Sequence, residues 1–522
     1  MRTGASCQAD LLSTFRLASL AALFDKDPMR INLPYTFMEK TLTFDDQTIQ
    51  AIFGHEAAEQ EDLRRLQQYY FKGQTFKRMM ADLPLRILVG QKGIGKSALL
   101  TVAKAEDEDQ GKAVLFLRPE DVHGVGDGGG DFRQLVNEWK DGISNAVQIL
   151  AFQSMGMPMQ GQSSTMKSVG RVLSFIKDTA RPYFDKKIDC SPLEKTISDR
   201  FLKANQVTIY IDDLDRGWEG KRKDIRRVSA FLIAIKDLSA GDSGLYFKIA
   251  IRSDVFYAIR KTEADTDKLE GSLVWQTWTN HEILFLLVKR ILTYFDEPFD
   301  EASLKKLPQP ELAKHLDRVM ARIYLGQGKW QNLPMHRFLM TMIRQRPRDL
   351  VKLCSAAARH AEERGSDHLL TTDFTSILSA YSAERIQDAV NEHRLELPEI
   401  ERLLLGMKPS KKAASASESY TFKTEKLLQK LKDIISQGTF TFATGTPGDP
   451  RSLADFLYKI DFLIARKDSD AGIDRKYFEQ NRYLSSTFAD FGYDWEIHPA
   501  YRWALQPGKL EQLFDDISPS ID

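Results

Sequence analysis

The sequence predicts an α/β fold, a parallel sheet sandwiched by helices, followed by a helical region and a small α+β module. Three observations lead there. Short apolar runs rich in β-branched or aromatic residues, at 85–89, 113–117, 207–211 and 245–251, alternate with stretches of helical period. The first run ends in a loop carrying three glycines that opens directly into a helix-forming segment. From residue 280 the pattern is helical until a Lys, Ser and Ala-rich stretch at 406–420, beyond which strand-like and helical segments mix.

With 522 residues the chain has room for several domains, because single cores stop growing well below that length. Its 73 basic and 73 acidic side chains balance, so no overall field draws it to nucleic acid or to an anionic surface. Cys7, Cys190 and Cys354 lie far apart with no zinc-site spacing, which predicts free thiols in a reducing, cytoplasmic setting. No apolar run approaches the roughly 20 residues of a bilayer span. The best, 283–288, stops at Lys289 and Arg290. The first residues carry the outline of a secretory signal in Arg2 and the apolar 17–24, but Asp10, Arg16 and Asp25 interrupt it. An extension upstream of Met29, or a short amphipathic helix, is the reading adopted.

Taken in order, 57–80 reads as helix with a break at Gly73, leading into the strand 85–89. A helix over 97–105 and the strand 113–117 follow, then a flexible loop at 124–130. Helices fill 132–152 and 166–179, separated by an aperiodic surface loop at 154–165. The strands 207–211 and 245–251 each end in charge. After 280, Ile283, Leu287, Ile291 and Tyr294 share one helical face, and 335–344 and 349–362 form a further helical region broken at Pro347. The last hundred or so residues predict a helix at 424–435, a strand at 440–443, a turn at 445–450, a helix at 451–459 and strands at 462–465 and 495–497.

Gly90-Gln91-Lys92-Gly93-Ile94-Gly95-Lys96-Ser97, followed by Ala98, satisfies Gly-x4-Gly-Lys-[Ser/Thr] between a strand and a helix. The glycines let the backbone curl so that its N–H groups converge, and the next helix adds its positive end, which makes polyphosphate the natural guest. Lys96 is then the charge for the β and γ phosphates and Ser97 a magnesium ligand. Downstream, 207–211 delivers Asp212 and Asp213 to a sheet edge, where Asp212 would hold magnesium and Asp213 would orient or deprotonate water. Arg252 follows the next strand, placed to meet the γ phosphate or to pair with Asp254. Arg348, in Arg346-Pro347-Arg348-Asp349, opens a helix from which it can reach the nucleotide or form a helix-start ion pair. No Asn-Lys-x-Asp occurs to read guanine, nor any Leu-Ser-Gly-Gly-Gln, so ATP is preferred.

These segments resemble the STAND and KAP-like branch of the AAA+ superfamily of P-loop ATPases, through Gly90 to Ser97, Asp212-Asp213-Leu214-Asp215-Arg216, Arg252-Ser253-Asp254 and Arg346 to Asp349. The resemblance covers roughly 53–362 and implies a five-stranded parallel sheet with a helical lid. It also implies a magnesium role for Asp212, a catalytic one for Asp213, γ-phosphate sensing by Arg252 and lid closure by Arg348. Asp213 stands where many AAA+ motors have glutamate, which implies slow, switch-like turnover. The family's role in bacterial signalling or phage defence implies an ATP-dependent switch. The end of the chain, with Trp495-Glu496-Ile497-His498-Pro499, looks like the winged-helix modules joined to such ATPases. The expected organisation is an extension at 1–52, a P-loop core at 53–279, a helical lid at 280–405, a linker at 406–420 and the winged-helix-like module at 421–522.

Three functions are open at this point. One is a regulatory ATPase switch. Another is a DNA-handling ATPase gripping duplex DNA through Lys408, Lys411, Lys412, Lys423, Lys426, Lys430 and Lys432. The third uses ATP as structural glue while the terminal module recruits a partner protein. Arg216 and Lys221-Arg222-Lys223 are candidate contacts to an adjoining subunit in a homo-oligomer.

Overall fold

Strands β1 (Leu85–Gly90), β2 (Ala113–Leu117), β3 (Val207–Ile211), β4 (Leu245–Arg252) and β5 (Leu273–Trp275) form a five-stranded sheet in the order β2-β3-β4-β1-β5, every neighbour pair parallel. All five residues of β3 are buried, as a strand covered on both faces requires. This is the computed structural model of the chain. It describes residues 42–505 except 57–59, 128–129, 158–171, 187–190, 242–243, 263, 328–329, 410–419, 470–471 and 482–491. The N-terminal extension to residue 41, Cys7, Cys190, the start of the predicted 166–179 helix and most of the predicted linker therefore lie outside the described residues.

Helices α1 (Asp46–Phe53), α2 (Leu63–Tyr69) and α3 (Gln74–Met80) precede β1, the last two lying on either side of the break expected at Gly73. The loop after β1 opens α4 (Lys96–Asp109). Beyond β2 come α5 (Phe132–Ser154), α6 (Val172–Lys186) and α7 (Pro192–Lys203), with α8 (Arg222–Gly241) and α9 (Ser253–Thr262) on either side of β4. Alternation along the strands divides the interior in two. Ile87 and Val89 face a core shared with α5 and α8. Leu88 faces a second core, which runs without a break through α4 into the helical region and the C-terminal module.

That helical region comprises α10 (Asn280–Tyr294), the one-turn α11 (Glu301–Leu304) and α12 (Gln309–Leu312), a small hairpin of β6 (Ile323–Tyr324) and β7 (Leu333–Pro334), then α13 (Met335–Met342), α14 (Pro347–Glu363), α15 (Thr371–His393) and α16 (Ile400–Gly406). α10 starts where it does because Thr279 Oγ1 accepts the Glu282 N–H while the Glu282 carboxylate accepts the Thr279 N–H. Pro347 begins α14 rather than breaking it, since proline at the first helical position gives up an N–H that has no intrahelical partner.

The C-terminal module holds β8 (Thr421–Phe422), α17 (Thr424–Ser436), α18 (Pro450–Lys459), β9 (Leu463–Ser469), β10 (Gly472–Lys476), β11 (Asp494–Ile497) and α19 (Pro499–Leu505). Its antiparallel sheet has the order β10-β9-β11-β8. The strand expected at 440–443 is instead a turn closed by one bridge between Thr441 and Pro447, because Asp449 draws the chain into α18 by accepting the Arg451 and Ser452 N–H groups. Among the described residues no helix is long and apolar enough to cross a membrane.

One buried ionic cluster fixes α4 against the sheet. The Lys248 ammonium, from the middle of β4, donates to Asp107 of α4 at 2.8 Å, and the Tyr210 hydroxyl of β3 donates to the same carboxylate at 2.7 Å. Burial pushes the Asp107 carboxyl up, but hydrogen bonds from Lys112 and Lys248 outweigh it and hold it below its ordinary value.

His498 offers a test of the module's packing. Its Nδ1 accepts the Ala500 N–H at 3.1 Å, which leaves the proton of the neutral ring on Nε2, 3.1 Å from the Tyr477 hydroxyl. Burial, with Arg475 and Arg344 nearby, lowers its pKa to about 3. A folded pKa below the unfolded value of about 6.5 contributes stability that is complete above pH 6.5 and is lost as pH falls from there towards 3. Urea midpoints measured from pH 7 to pH 4 are expected to fall less steeply for His498→Gln than for the wild type.

Candidate functional site

Parallel strands put their carboxyl ends on one edge, so the loops after β1, β3 and β4 must meet there. Register makes the meeting close: Gly90 pairs with Arg252 across β1 and β4, and Ile211 pairs with Ile249 across β3 and β4. The glycine loop needs its glycines where the backbone turns left-handed, at Gly93 (φ 77°) and at Gly95 (φ 97°), which caps α4. Lys96 bends back, its ammonium donating to the Gly90 and Gln91 carbonyls at 3.0 Å each. Burial draws that ammonium below its ordinary pKa, against the raising effect of Asp215 and Asp212.

Ser97 and the Asp212 carboxylate face the same cavity, which brings the loop and the end of β3 together. Burial pushes Asp212 up, with the Ser97 hydroxyl and the Asp213 N–H opposing. Asp213 is exposed and left-handed (φ 60°), and its N–H donates to Asp212 Oδ1 at 2.9 Å. These groups, with Ala98, line a cavity of about 240 Å3.

Arg252 also reaches the cavity, but its guanidinium is committed to carboxylates: Asp254 at 3.0 and 2.7 Å, Asp215 at 3.1 Å and, more distantly, Glu392 at 4.0 Å. The pairing with Asp254 and the position near the loop, alternatives at the sequence level, thus coexist. Arg348 lies across Gly93, where an added Cβ would sit 3.3 Å from it, and donates through Nε to the Glu56 carbonyl at 2.9 Å.

The opposite wall was not legible in the sequence. Leu66, Tyr69, Leu286 and Val351 supply an apolar slot beside the loop, and Arg290 stacks 4.6 Å from the Tyr69 ring centroid. Burial lifts the Tyr69 phenol to about 12. Arg346 was also missed. Being the residue before a proline, it is held extended (φ −118°, ψ 124°), so it points away from Arg348 and into the protein. It is 2% exposed, donating to the Lys92 carbonyl at 3.3 Å and to Asp461 of the C-terminal module at 3.2 Å, with Glu392 at 3.6 Å. The Gln91 amide donates to the Lys459 carbonyl at 3.3 Å, and the Trp278 indole N–H to the Ile94 carbonyl at 2.7 Å. Helical region and C-terminal module thus grip the glycine loop through its carbonyls and the Gln91 side chain.

Other candidates lie elsewhere. Arg216 pairs with Glu120 at 2.7 Å and Lys221 with Glu219, both on the surface. Lys423, Lys426 and Lys432 are exposed on or beside α17, interspersed with the exposed Glu425 and Asp433; Lys411 and Lys412 lie outside the described residues.

The Arg346 pairing can be measured. Arg346→Leu leaves the Asp461 carboxylate buried without its cation and is expected to cost about 3–5 kcal/mol in urea unfolding. Adding Asp461→Asn, which removes the charge at a position (φ 56°) that asparagine tolerates, is expected to recover much of that loss.

Residues 302–390 match a family model described as the FunZ-associated C-terminal helical domain. The chain is similar to the transposon gamma-delta 80.3 kDa protein of Escherichia coli (strain K12), 20% identical over 534 aligned positions that cover 90% of this chain and 70% of that one. Among solved structures it is similar to the Walker-type ATPase PABY2304 of Pyrococcus abyssi (12% identity, TM-score 0.37, 80% of this chain and 95% of that). It is also similar to the ORC2 protein of Aeropyrum pernix in ADPNP-ADP complexes (12%, 0.38, 85% and 91%) and the RuvB Holliday junction branch migration motor of Thermotoga maritima (11%, 0.30, 80% and 98%). Overlaps at these scores are partial, and the assignment rests on this chain's own geometry. A parallel sheet with helices on both faces, a Gly-x4-Gly-Lys-Ser loop opening a helix, and an acidic strand end lining one cavity with that loop's serine give the chain the fold of a P-loop ATPase.

Proposed function

We propose that the chain binds ATP with magnesium in the cavity between Gly90–Ser97 and Asp212-Asp213 and hydrolyses it slowly, as a conformational switch. The observation that carries this reading is the meeting of Ser97 and Asp212 on one cavity at the glycine loop, with Lys96 folded back against the loop's own carbonyls. The two groups are electrostatically strained in opposite senses, Lys96 pulled down and Asp212 pushed up by burial. A triphosphate would favour the charged lysine and a divalent cation the charged aspartate, so the donor set fits both.

In this reading Ser97 and Asp212 hold magnesium, which supplies charge neutralisation for the triphosphate. Lys96 exchanges the Gly90 and Gln91 carbonyls for β and γ phosphate oxygens, while the loop N–H groups cradle the rest. Asp213 orients the attacking water or takes its proton, and Arg252 and Arg348 stabilise charge developing on the γ phosphate. The base occupies the slot of Leu66, Tyr69, Leu286 and Val351. Because Arg346 and Gln91 tie the loop to Asp461 and Lys459, a change in the loop's occupant biases the C-terminal module, as a switch requires.

The resemblance to STAND and KAP-like ATPases suggests service in bacterial signalling or anti-phage defence, and homo-oligomerisation with it. The duplex-DNA reading has less support, since the carboxylates among the α17 lysines dilute the positive face that phosphate binding needs.

Two variants test the proposal. Lys96→Ala is expected to weaken ATP binding by about 100-fold or more in a fluorescent-nucleotide titration. Asp213→Asn, chosen because asparagine keeps the left-handed backbone, is expected to bind ATP normally but release phosphate about 100- to 1,000-fold more slowly. Unchanged phosphate release in both would refute the assignment.

A further inference from the structure

Behind Arg252, away from the glycine loop, three side chains from two elements converge on a second point. Asp254 stands in the first turn of α9, His393 is the last residue of α15 and Glu396 follows in the turn whose N–H donates to the His393 carbonyl. One carboxylate oxygen of Asp254, one of Glu396 and one ring nitrogen of His393 all lie within 4.8 Å of one another. The imidazole is 6% exposed, and its Nδ1 has no hydrogen-bond partner. A buried nitrogen without a partner keeps an unmet desolvation cost, which a ligand reaching it would remove.

Charge points the same way. Asp215, Asp254, Glu392, Glu396 and Asp461 outnumber the cations paired with them, Arg252, Arg346 and Lys459, five to three.

We infer that Asp254, His393 and Glu396 form a site for a divalent transition-metal cation of the zinc or manganese class, distinct from the nucleotide's magnesium. One imidazole and two carboxylates suit those ions, whereas magnesium and calcium prefer oxygen alone. Tetrahedral zinc separates its ligand atoms by about 3.4 Å, so a closing of at most about 1.4 Å, shared by the two carboxylates, completes the set. Arg252 on Asp254 and Lys459 on Glu396, the latter at 2.8 and 3.1 Å, act as outer partners that orient the ligands, and each carboxylate keeps lone pairs beyond those contacts. Entry is from a cavity of about 400 Å3 lined by Asp254, Glu396, Asp455 and Lys459. Since Asp254 also holds Arg252, a cation there would loosen Arg252 towards the nucleotide; that consequence rests on the proposed ATPase, the site itself does not.

The test is zinc and, separately, manganese uptake by the full-length protein, stripped with chelator, in equilibrium dialysis without nucleotide and read by elemental analysis. About one equivalent of one of these ions is expected on the wild type. Affinity is expected to fall at least 10- to 100-fold in His393→Ala and in the near-isosteric Glu396→Gln, while Asp212→Asn retains the ion. Circular dichroism identifies a variant that has failed to fold, and the folded one of the pair then decides. No uptake by the wild type, uptake unchanged in the folded variants, or uptake abolished by Asp212→Asn would overturn the inference, and none of these outcomes depends on whether ATP is hydrolysed.

Discussion

A guanidinium removed from water must find its counter-charges within the protein, and Arg346 finds them in three places at once. Its partners are the Lys92 carbonyl of the glycine loop, Glu392 of α15 and Asp461 of the C-terminal module. Much of the arrangement around the site follows from that constraint. The extended backbone before Pro347 sends Arg346 inward and leaves Arg348 across Gly93, so two arginines two residues apart serve opposite sides of the same loop. Asp349, next along, is buried between Arg344 and Arg385, and Arg344 in turn donates to the Tyr501 hydroxyl at 2.8 Å. Burial pushes Asp349 up, but those arginines outweigh it and keep it well below the usual carboxylate range. Charge pairing therefore binds α14 and α15 to the C-terminal module beneath the same surface that meets the glycine loop.

Carboxylates and arginines form a second chain behind the loop, from Asp215 through Arg252 to Asp254 and Glu392. Arg252 is thus a shared resource, facing the cavity while anchored from behind. Any group that competes for Asp254 alters how firmly Arg252 is held, which gives the site a handle outside the nucleotide cavity.

The parts of this molecule that could be read from sequence are those dictated by local chemistry. β2 and β3 begin and end where their apolar runs do, and the glycine loop follows from residue types that few other structures require. The short β5 went unrecognised because three residues give no period, and α15 fell within the expected helical region without its own bounds because its mixed surface blurs the pattern. The apolar slot at Leu66 and Tyr69 depends on how α2 packs against α10, which no single segment encodes. Arg346 was invisible for a related reason, since its partners lie about 250 residues before it and 115 after it. Conversely, the strand expected at 440–443 was a locally plausible pattern overruled by the capping of α18.

Consider finally α1, which forms early in the chain yet packs on α10 and α14, made more than 200 residues later. During synthesis at about 5–20 residues per second, the parallel sheet is complete in sequence by Trp275, whereas α14 ends only at Glu363. The face of α1 that meets α14 must wait for some seconds while the helical region is translated. Pro347, Arg348 and Val351 of α14 complete the cavity, so its assembly is a late event in biogenesis, and a chain halted soon after β5 lacks that wall.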